Sequence, residues 1–125
     1  MPLAMVIEDD QGLRLLFGKA LEHANFKVLL AANVRDALEL LADHTPDIAF
    51  IDVNMPGSLG TNVLSHLKST PRLAKTRTVV VTANTQAASL AEDLGADLFL
   101  LKPVSIVELM TLANRLVGAN AGAPQ

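Results

Sequence analysis

The 125-residue chain contains no cysteine, so disulfide bonds and thiolate metal sites are excluded. A chain without thiols suits a reducing compartment, and we expect it in the cytoplasm. It has no dense basic run and a formal net charge of −3, which argues against direct nucleic-acid binding. No apolar run approaches the length of a membrane span, and the first ten residues reach acids too early to resemble a signal peptide.

The composition favours a single folded domain. Half of the residues are hydrophobic and 18% are charged, so the chain has enough apolar side chains for a packed core. A length of 125 residues fits one domain, which we expect to span residues 1–118. Residues 119–125 show no apolar periodicity, which indicates a flexible tail or a linker.

Short apolar runs alternate with amphipathic segments along the chain. This alternation predicts an α/β domain with a parallel sheet that is covered by helices on both faces. The predicted strands are Leu3–Ile7, Lys27–Ala31, Ile48–Ile51, Thr78–Val81 and Leu98–Leu101. The predicted helices cover residues 11–23 and 34–43, a segment around Val63–Leu67, the short stretch 87–94, and a last helix that begins at Ser105.

Chemically useful side chains stand at the ends of four predicted strands. Glu8 and Asp9 follow the first strand, Asp52 follows the third, Thr82 ends the fourth and Lys102 follows the fifth. Because parallel strands end at the same edge of a sheet, we expect these side chains to lie together. Each one alone has an ordinary explanation, since Asp is common in turns and Thr suits strands, so the prediction depends on their combination.

The three carboxylates of this set would repel one another unless a cation lay between them. Carboxylate oxygens with a nearby carbonyl suit Mg²⁺, which keeps some of its waters and binds phosphate oxygens. A carboxylate flanked by a hard metal, a lysine and a hydroxyl is the arrangement that an acyl phosphate needs. The carboxylate attacks phosphorus, and the other groups neutralise the equatorial oxygens.

Over essentially its whole length, the chain resembles the response-regulator receiver domains of two-component signalling. The matching segments are VIEDD followed by three residues and Arg14, then IDVNMPG, VVVTAN and GAD-x-F-x-x-KP. Each segment alone is a weak signal, but four of them in this order, with 30 residues from Asp52 to Thr82, are specific. The resemblance implies a flavodoxin-like, doubly wound sheet of five strands in the order 2-1-3-4-5, with five helices.

The resemblance also implies roles for the residues at the strand ends. Asp52 matches the aspartate that is phosphorylated, and Glu8 and Asp9 match the acid pair that holds Mg²⁺. The backbone carbonyl of Asn54 is a further metal ligand in this interpretation. Lys102 matches the lysine that contacts the phosphoryl group.

Two more residues match the parts of the family that transmit the signal. Thr82 matches the switch hydroxyl and Phe99 the switch aromatic. On phosphorylation we expect Thr82 to move inward, Phe99 to follow, and the face of the fourth predicted helix, the fifth strand and the last helix to be remodelled. Val107 and Leu112 lie on the last helix, so this face is expected to bind a partner, an output domain or a second copy of the chain.

The function implied by the resemblance is that of a signalling switch rather than an enzyme. The phosphoryl donor would be a sensor histidine kinase or a histidine phosphotransfer protein, and the receiver of the signal a downstream target. Neither nucleic acid nor a membrane is expected to bind this domain directly. The segment between Thr82 and Lys102 is shorter than the family usually has, so the shape of the predicted 87–94 helix stays open.

Three alternatives remain at this point. A receiver-like module that binds a partner without phosphorylation would not need the acids, Thr82 and Lys102. A phosphatase of the haloacid-dehalogenase type also uses an aspartyl nucleophile, but it usually has a second acid two residues on, where this chain has Asn54. A flavodoxin that binds FMN needs a phosphate loop rich in Ser and Thr after the first strand, where this chain has acids that repel phosphate.

Overall fold

The computed structural model describes residues 1–52, 61–83 and 95–121, together with positions 89 and 93. The strands are β1 (Leu3–Ile7), β2 (Lys27–Ala31), β3 (Ile48–Ile51), β4 (Arg77–Thr82) and β5 (Leu98–Leu101). The helices within the described residues are α1 (Gln11–His23), α2 (Val34–Asp43), α3 (Thr61–Ser69), a 3₁₀ turn (Pro71–Leu73) and α4 (Ile106–Ala121). None of these helices is both long and apolar enough to cross a membrane.

All five strands are parallel and lie in the order β2-β1-β3-β4-β5, which confirms the predicted flavodoxin-like sheet. The predicted bounds of β1, β2, β3, β5, α1 and α2 are those of the structure. β4 is one residue longer at each end than predicted, from Arg77 to Thr82. The strand order reverses between β1 and β3. In open α/β sheets the crevice for ligands lies beside the carboxyl ends of such neighbouring strands.

One predicted element, the helix over 87–94, lies outside the described residues apart from positions 89 and 93. At the other end of the chain, α4 continues to Ala121 and therefore includes the first three residues of the predicted tail. Residues 122–125 lie outside the described residues.

Polar side chains fix where three of the helices begin. Asp10 caps α1 by accepting a hydrogen bond from the backbone N–H three residues on, at 2.9 Å. Asn33 caps α2 in the same way at 2.8 Å, and Ser105 caps α4 at 3.3 Å. Such caps satisfy backbone donors that the first helical turn leaves without a partner. Since Asp10 directly follows Glu8 and Asp9, its cap places the start of α1 next to the predicted acid pair.

The sheet separates two hydrophobic clusters, since successive residues of a strand point to opposite faces. α1 and α4 cover one face, where Ala4, Val6 and Phe50 are buried. α2 and α3 cover the other face, where Met5 and Ile7 are buried. The central strands β1, β3 and β4 are therefore packed on both sides.

The edge strands are less covered than the sequence indicates. Apolar runs predict burial on both faces, yet Leu98, Phe99 and Leu101 of β5 and Leu30 of β2 are all exposed. β2 and β5 are the outermost strands, so each has a neighbouring strand on one side only. The apolar side chains of β5 therefore contribute to the molecular surface.

Two further aspartates lie at the amino-terminal edge of the sheet. Asp47 accepts a hydrogen bond from the Leu3 N–H at 2.8 Å, and Asp97 accepts one from the Thr78 N–H at 2.8 Å. Each acid precedes one strand and holds the start of the strand beside it. These acids stabilise the sheet and lie at the opposite edge from Asp52.

The two faces of α1 predict different responses to the same substitution. Leu21 is fully buried, whereas Leu15 on the same helix is 47% exposed. Leu21→Ala is expected to lower the free energy of unfolding by about 2–5 kcal/mol because it leaves a cavity, and Leu15→Ala by less than about 1 kcal/mol. Urea unfolding followed by circular dichroism measures both, and equal losses would contradict the packing described.

Candidate functional site

The hydrogen-bond ladder of the sheet continues past the strand ends and fixes the backbone of the predicted site residues. The Glu8 N–H donates to β2 at 3.0 Å, and the Asp52 N–H donates to β1 at 2.9 Å. The Lys102 N–H donates to the Thr82 carbonyl at 2.9 Å, and the peptide bond from Lys102 to Pro103 is cis. The backbone of these residues is therefore hydrogen-bonded to the sheet, and their side chains extend from its carboxyl edge.

Three acids and one lysine meet at this edge. The carboxylate groups of Glu8, Asp9 and Asp52 each place an oxygen within 4.8 Å of the others. Glu8 and Asp52 are buried, with 2% and 5% of their surface exposed, whereas Asp9 is exposed. The Lys102 Nζ lies 2.9 Å from Glu8 Oε1 and 3.3 Å from Asp52 Oδ2. The structure thus brings together these four predicted site residues.

The remaining predicted residues fall into three different settings. Thr82 is fully buried at the carboxyl end of β4, on the same edge as the acids. Phe99 lies on β5 and is 40% exposed, so it is a surface aromatic and not a core residue. Asn54 lies outside the described residues. The threonine is therefore part of the edge, and the aromatic is on the outer strand beside it.

Burial changes the acid–base behaviour of Glu8. Burial raises the pKa of Glu8 from its usual 4.5 to about 7, and the negative charge of Asp52 acts in the same direction. The contact with Lys102 and the hydrogen bond from the Asp10 N–H oppose this rise. A buried carboxylate beside a second one favours protonation unless more positive charge is supplied.

The pKa of Lys102 is raised although the side chain is partly buried. Burial by itself lowers the pKa of a lysine, but the contact with Glu8 and the charges of Asp52 and Glu8 outweigh it. The pKa of Lys102 is therefore raised above its usual value, and the ammonium stays charged at neutral pH. One ammonium serves two buried carboxylates at once.

The donor set of this edge fits a hard divalent cation. All three acidic side chains offer oxygen, which Mg²⁺ prefers to nitrogen or sulfur. The two buried carboxylates share the single positive charge of Lys102, so additional positive charge would stabilise them. Glu8, Asp9 and Asp52 form a group that can hold a metal ion.

Two residues next to the acids belong to the first matching segment, but no role in the site is predicted for them from the sequence. Asp10 caps α1, and its backbone N–H donates to Glu8 Oε2 at 3.2 Å. An aspartate directly before a helical pattern is an N-cap signal, so the cap is predictable from the sequence, whereas the bond from its N–H to Glu8 is not. Arg14 donates from Nη1 to the backbone carbonyls of Glu8 at 2.9 Å and Asp9 at 3.3 Å. No local sequence signal predicts a contact of that kind.

Comparison with known proteins gives matches over nearly the whole chain. The family model of the response regulator receiver domain matches residues 4–114. The Regulator of RpoS of Escherichia coli K12 is 35% identical over 102 residues, which are 80% of this chain and 30% of that protein. The chain therefore spans less than a third of the length of that curated relative.

Two solved structures show the same fold. A CheY-like receiver domain protein from Methanospirillum hungatei JF-1 has a TM-score of 0.89 at 18% identity, with 98% of each chain covered. The response regulator protein TrrA from Thermotoga maritima has a TM-score of 0.81 at 23% identity, with 93% of this chain and 99% of that chain covered. The TrrA structure is of a complex with Mg²⁺ and BeF.

The raised pKa of Glu8 predicts how the stability of the metal-free protein depends on pH. Between pH 4.5 and about 7 the folded protein binds a proton on Glu8 more tightly than the unfolded chain does. The contribution of this group to stability is therefore fully present below pH 4.5 and is lost as the pH rises through about 7.

Glu8→Gln removes this titration. Between about pH 5 and about pH 8 in EDTA, the free energy of unfolding of the variant is expected to fall less than that of the wild type, by on the order of 2 kcal/mol. Urea unfolding across this range is the measurement. Glu39→Gln, at an exposed position of α2, is the matched control and should keep the wild-type slope. A wild-type slope in Glu8→Gln would show that Glu8 titrates like an ordinary exposed glutamate.

Proposed function

The chain belongs to the response-regulator receiver domain family, and we propose that it is a phosphorylation switch in which Asp52 accepts the phosphoryl group. Receiver domains interact with histidine kinases and with output partners. One observation carries the proposal. A buried aspartate, two further acids, a lysine and a buried threonine stand together at the carboxyl edge of a parallel sheet.

Asp52 is the best placed of the three acids to act as the acceptor. It follows the central strand β3, is buried, and has Lys102 at 3.3 Å from one carboxylate oxygen. Glu8 is engaged more closely by the same lysine and by a backbone N–H. Asp9 is exposed and stands at the rim. The acids thus divide into one acceptor and two that surround it with negative charge.

The proposed transfer is a single displacement at phosphorus. A carboxylate oxygen of Asp52 attacks the phosphorus of a phosphohistidine on a sensor kinase or a phosphotransfer protein. The O–P bond forms as the P–N bond breaks, and the imidazole nitrogen takes the electron pair and then a proton. Lys102 shifts its contact from Glu8 to the phosphoryl oxygens, and the Thr82 hydroxyl donates a hydrogen bond to one of them.

Mg²⁺ is the proposed cofactor, and Glu8, Asp9 and Asp52 would hold it. The backbone carbonyl of Asn54, outside the described residues, is a further proposed ligand. When bound, Mg²⁺ supplies charge that neutralises the phosphoryl oxygens. The all-oxygen donor set supports this choice, and so does the Mg²⁺–BeF complex of the Thermotoga protein.

The proposed signal passes from the edge of the sheet to its outer strand. A phosphoryl group on Asp52 draws the buried Thr82 hydroxyl toward it, and Phe99 on the neighbouring strand changes position. The face of the predicted 87–94 helix, β5 and α4 is thereby remodelled. Exposed apolar side chains support a binding role for this face, with Phe99 at 40% and Val107 of α4 at 72% exposure. The change is a population shift driven by local charge.

The wider setting of the switch is also part of the proposal. The proposed receiver unit covers residues 1–118; α4 continues past this bound to Ala121, and the stretch 119–125 leads on as the proposed tail or linker. The phosphoryl donor and the downstream partner meet it in the cytoplasm, and the domain itself contacts neither nucleic acid nor membrane. The face that includes β5 and α4 binds the output partner or a second copy of the chain.

Phosphorylation by a small donor tests the proposal directly. Incubation with acetyl phosphate and Mg²⁺ is expected to add one phosphoryl group to the wild-type protein, read by intact mass spectrometry. The Asp52→Asn variant and a wild-type sample in EDTA are expected to gain none, because each lacks a component of the transfer. Asp47→Asn, at the opposite edge of the sheet, is the matched control and should be phosphorylated like the wild type.

The same measurement also tests the main alternative, a module that binds its partner without phosphorylation. If the wild type gains no phosphoryl group although it binds Mg²⁺, the chain is a receiver-like module that binds its partner without phosphorylation. A gain that persists in Asp52→Asn would place the acceptor elsewhere.

The route through Phe99 makes a separate prediction. Backbone amide shifts of α4 are expected to change when Mg²⁺ and beryllofluoride are added to the wild type, and to change by less than half as much in Phe99→Ala. Leu101→Ala is the control, since Leu101 lies on the same strand and is exposed to a similar extent. Full-sized α4 shifts in Phe99→Ala would rule out this route.

A further inference from the structure

Arg14 connects α1 to the two acids that follow β1. It is half-buried on the first turns of α1, and its guanidinium points back toward the strand end. One nitrogen, Nη1, donates to the Glu8 carbonyl at 2.9 Å and to the Asp9 carbonyl at 3.3 Å. The Arg14 guanidinium thus binds the backbone carbonyls of both acids in these two hydrogen bonds, and not their carboxylates.

These two carbonyls belong to the peptide planes on either side of the Asp9 Cα. Fixing both planes fixes the direction in which the Asp9 side chain leaves the backbone, because the Cα–Cβ bond is set by the dihedrals between them. Asp9 is exposed, so core packing does little to orient it. Its placement beside Glu8 and Asp52 depends on the backbone that Arg14 holds.

The second of these peptides also contacts the Glu8 carboxylate. Its N–H is that of Asp10, which donates to Glu8 Oε2 at 3.2 Å, while its carbonyl accepts from Arg14. A peptide bonded at both ends is polarised, and each hydrogen bond strengthens the other. Through this second peptide Arg14 also acts on the orientation of Glu8, in addition to that of Asp9.

We propose that Arg14 is a positioning residue that sets the geometry of Glu8 and Asp9 for the divalent cation. This inference rests on the metal site proposed above. Hydrogen-bond partners of metal ligands commonly change metal affinity by 10- to 100-fold when they are removed. Two effects of Arg14 have opposite signs here, since its charge repels Mg²⁺ while its hydrogen bonds arrange the ligands.

Because charge repulsion and ligand positioning change Mg²⁺ affinity in opposite directions, the affinity of an Arg14 variant shows which effect is larger. In Arg14→Met both the charge and the donor are lost, and Mg²⁺ is expected to bind about 10-fold more weakly. Arg14→Lys keeps a cationic donor on a shorter side chain with a more strongly hydrated head group. Its Mg²⁺ affinity is therefore expected to lie between those of the wild type and Arg14→Met. Lys19→Met removes the same charge from an exposed position of α1 and should stay within about twofold of the wild type.

Mg²⁺ affinity is measured without phosphorylation, by titrating the backbone amide shifts of each folded protein. Urea unfolding in EDTA shows whether Arg14→Met is still folded, and Arg14→Lys supplies a milder variant. In parallel, the rate of phosphorylation by acetyl phosphate is measured against Mg²⁺ concentration. A positioning role shifts the half-saturating Mg²⁺ concentration about 10-fold and leaves the rate at saturation nearly unchanged.

Mg²⁺ affinity in Arg14→Met that equals or exceeds the wild-type affinity would overturn the inference, because charge repulsion would then outweigh positioning. That outcome leaves phosphorylation of the wild type intact, so it is distinct from a failure of the proposed function. Absence of Mg²⁺ binding in the wild type itself would overturn both.

Discussion

The rest of the site depends on the burial of two carboxylates side by side. Glu8 and Asp52 are almost fully removed from water, where each disfavours the charge of the other. Lys102 lies 2.9 Å from one and 3.3 Å from the other, yet burial still holds the pKa of Glu8 at about 7. Additional positive charge at this edge would therefore favour the ionised form of Glu8, which is the physical reason why the edge suits a divalent cation.

The parallel strand order determines which residues can meet. Neighbouring strands lie about 4.8 Å apart, so the ends of β1 and β5, which are three positions apart in the sheet, are separated by roughly 14 Å. The two long side chains, Glu8 and Lys102, reach toward each other across that distance, with the small Thr82 at the strand end between them. Asp52 needs less reach because it follows the central strand. The longer side chains therefore lie on the outer strands of this group, β1 and β5, and the shorter ones, Asp52 and Thr82, on β3 and β4 between them.

Much of this arrangement follows from local sequence, and some of it does not. Apolar runs that end in an acid, a threonine or a lysine predicted the strands and the shared edge, because chain direction in a parallel sheet leaves one choice. The same rule places Asp47 at the opposite edge from Asp52, but the role of Asp47 appears only once Leu3 is seen beside it. Exposure of Phe99 depends on which strand is outermost, and the contact of Arg14 with backbone carbonyls depends on the path of the turn. Both are tertiary properties without a local signal.

The central claim is that Asp52 itself carries the phosphoryl group. An aspartyl phosphate is an activated acyl group, which borohydride reduces to the alcohol, whereas an ordinary carboxylate does not react. Peptide sequencing of the protein after acetyl phosphate, Mg²⁺ and borohydride treatment therefore reads out the acceptor. The account predicts homoserine at position 52 and unmodified acids at positions 8 and 9. Homoserine at another position, or a phosphorylated protein that yields none, would contradict it.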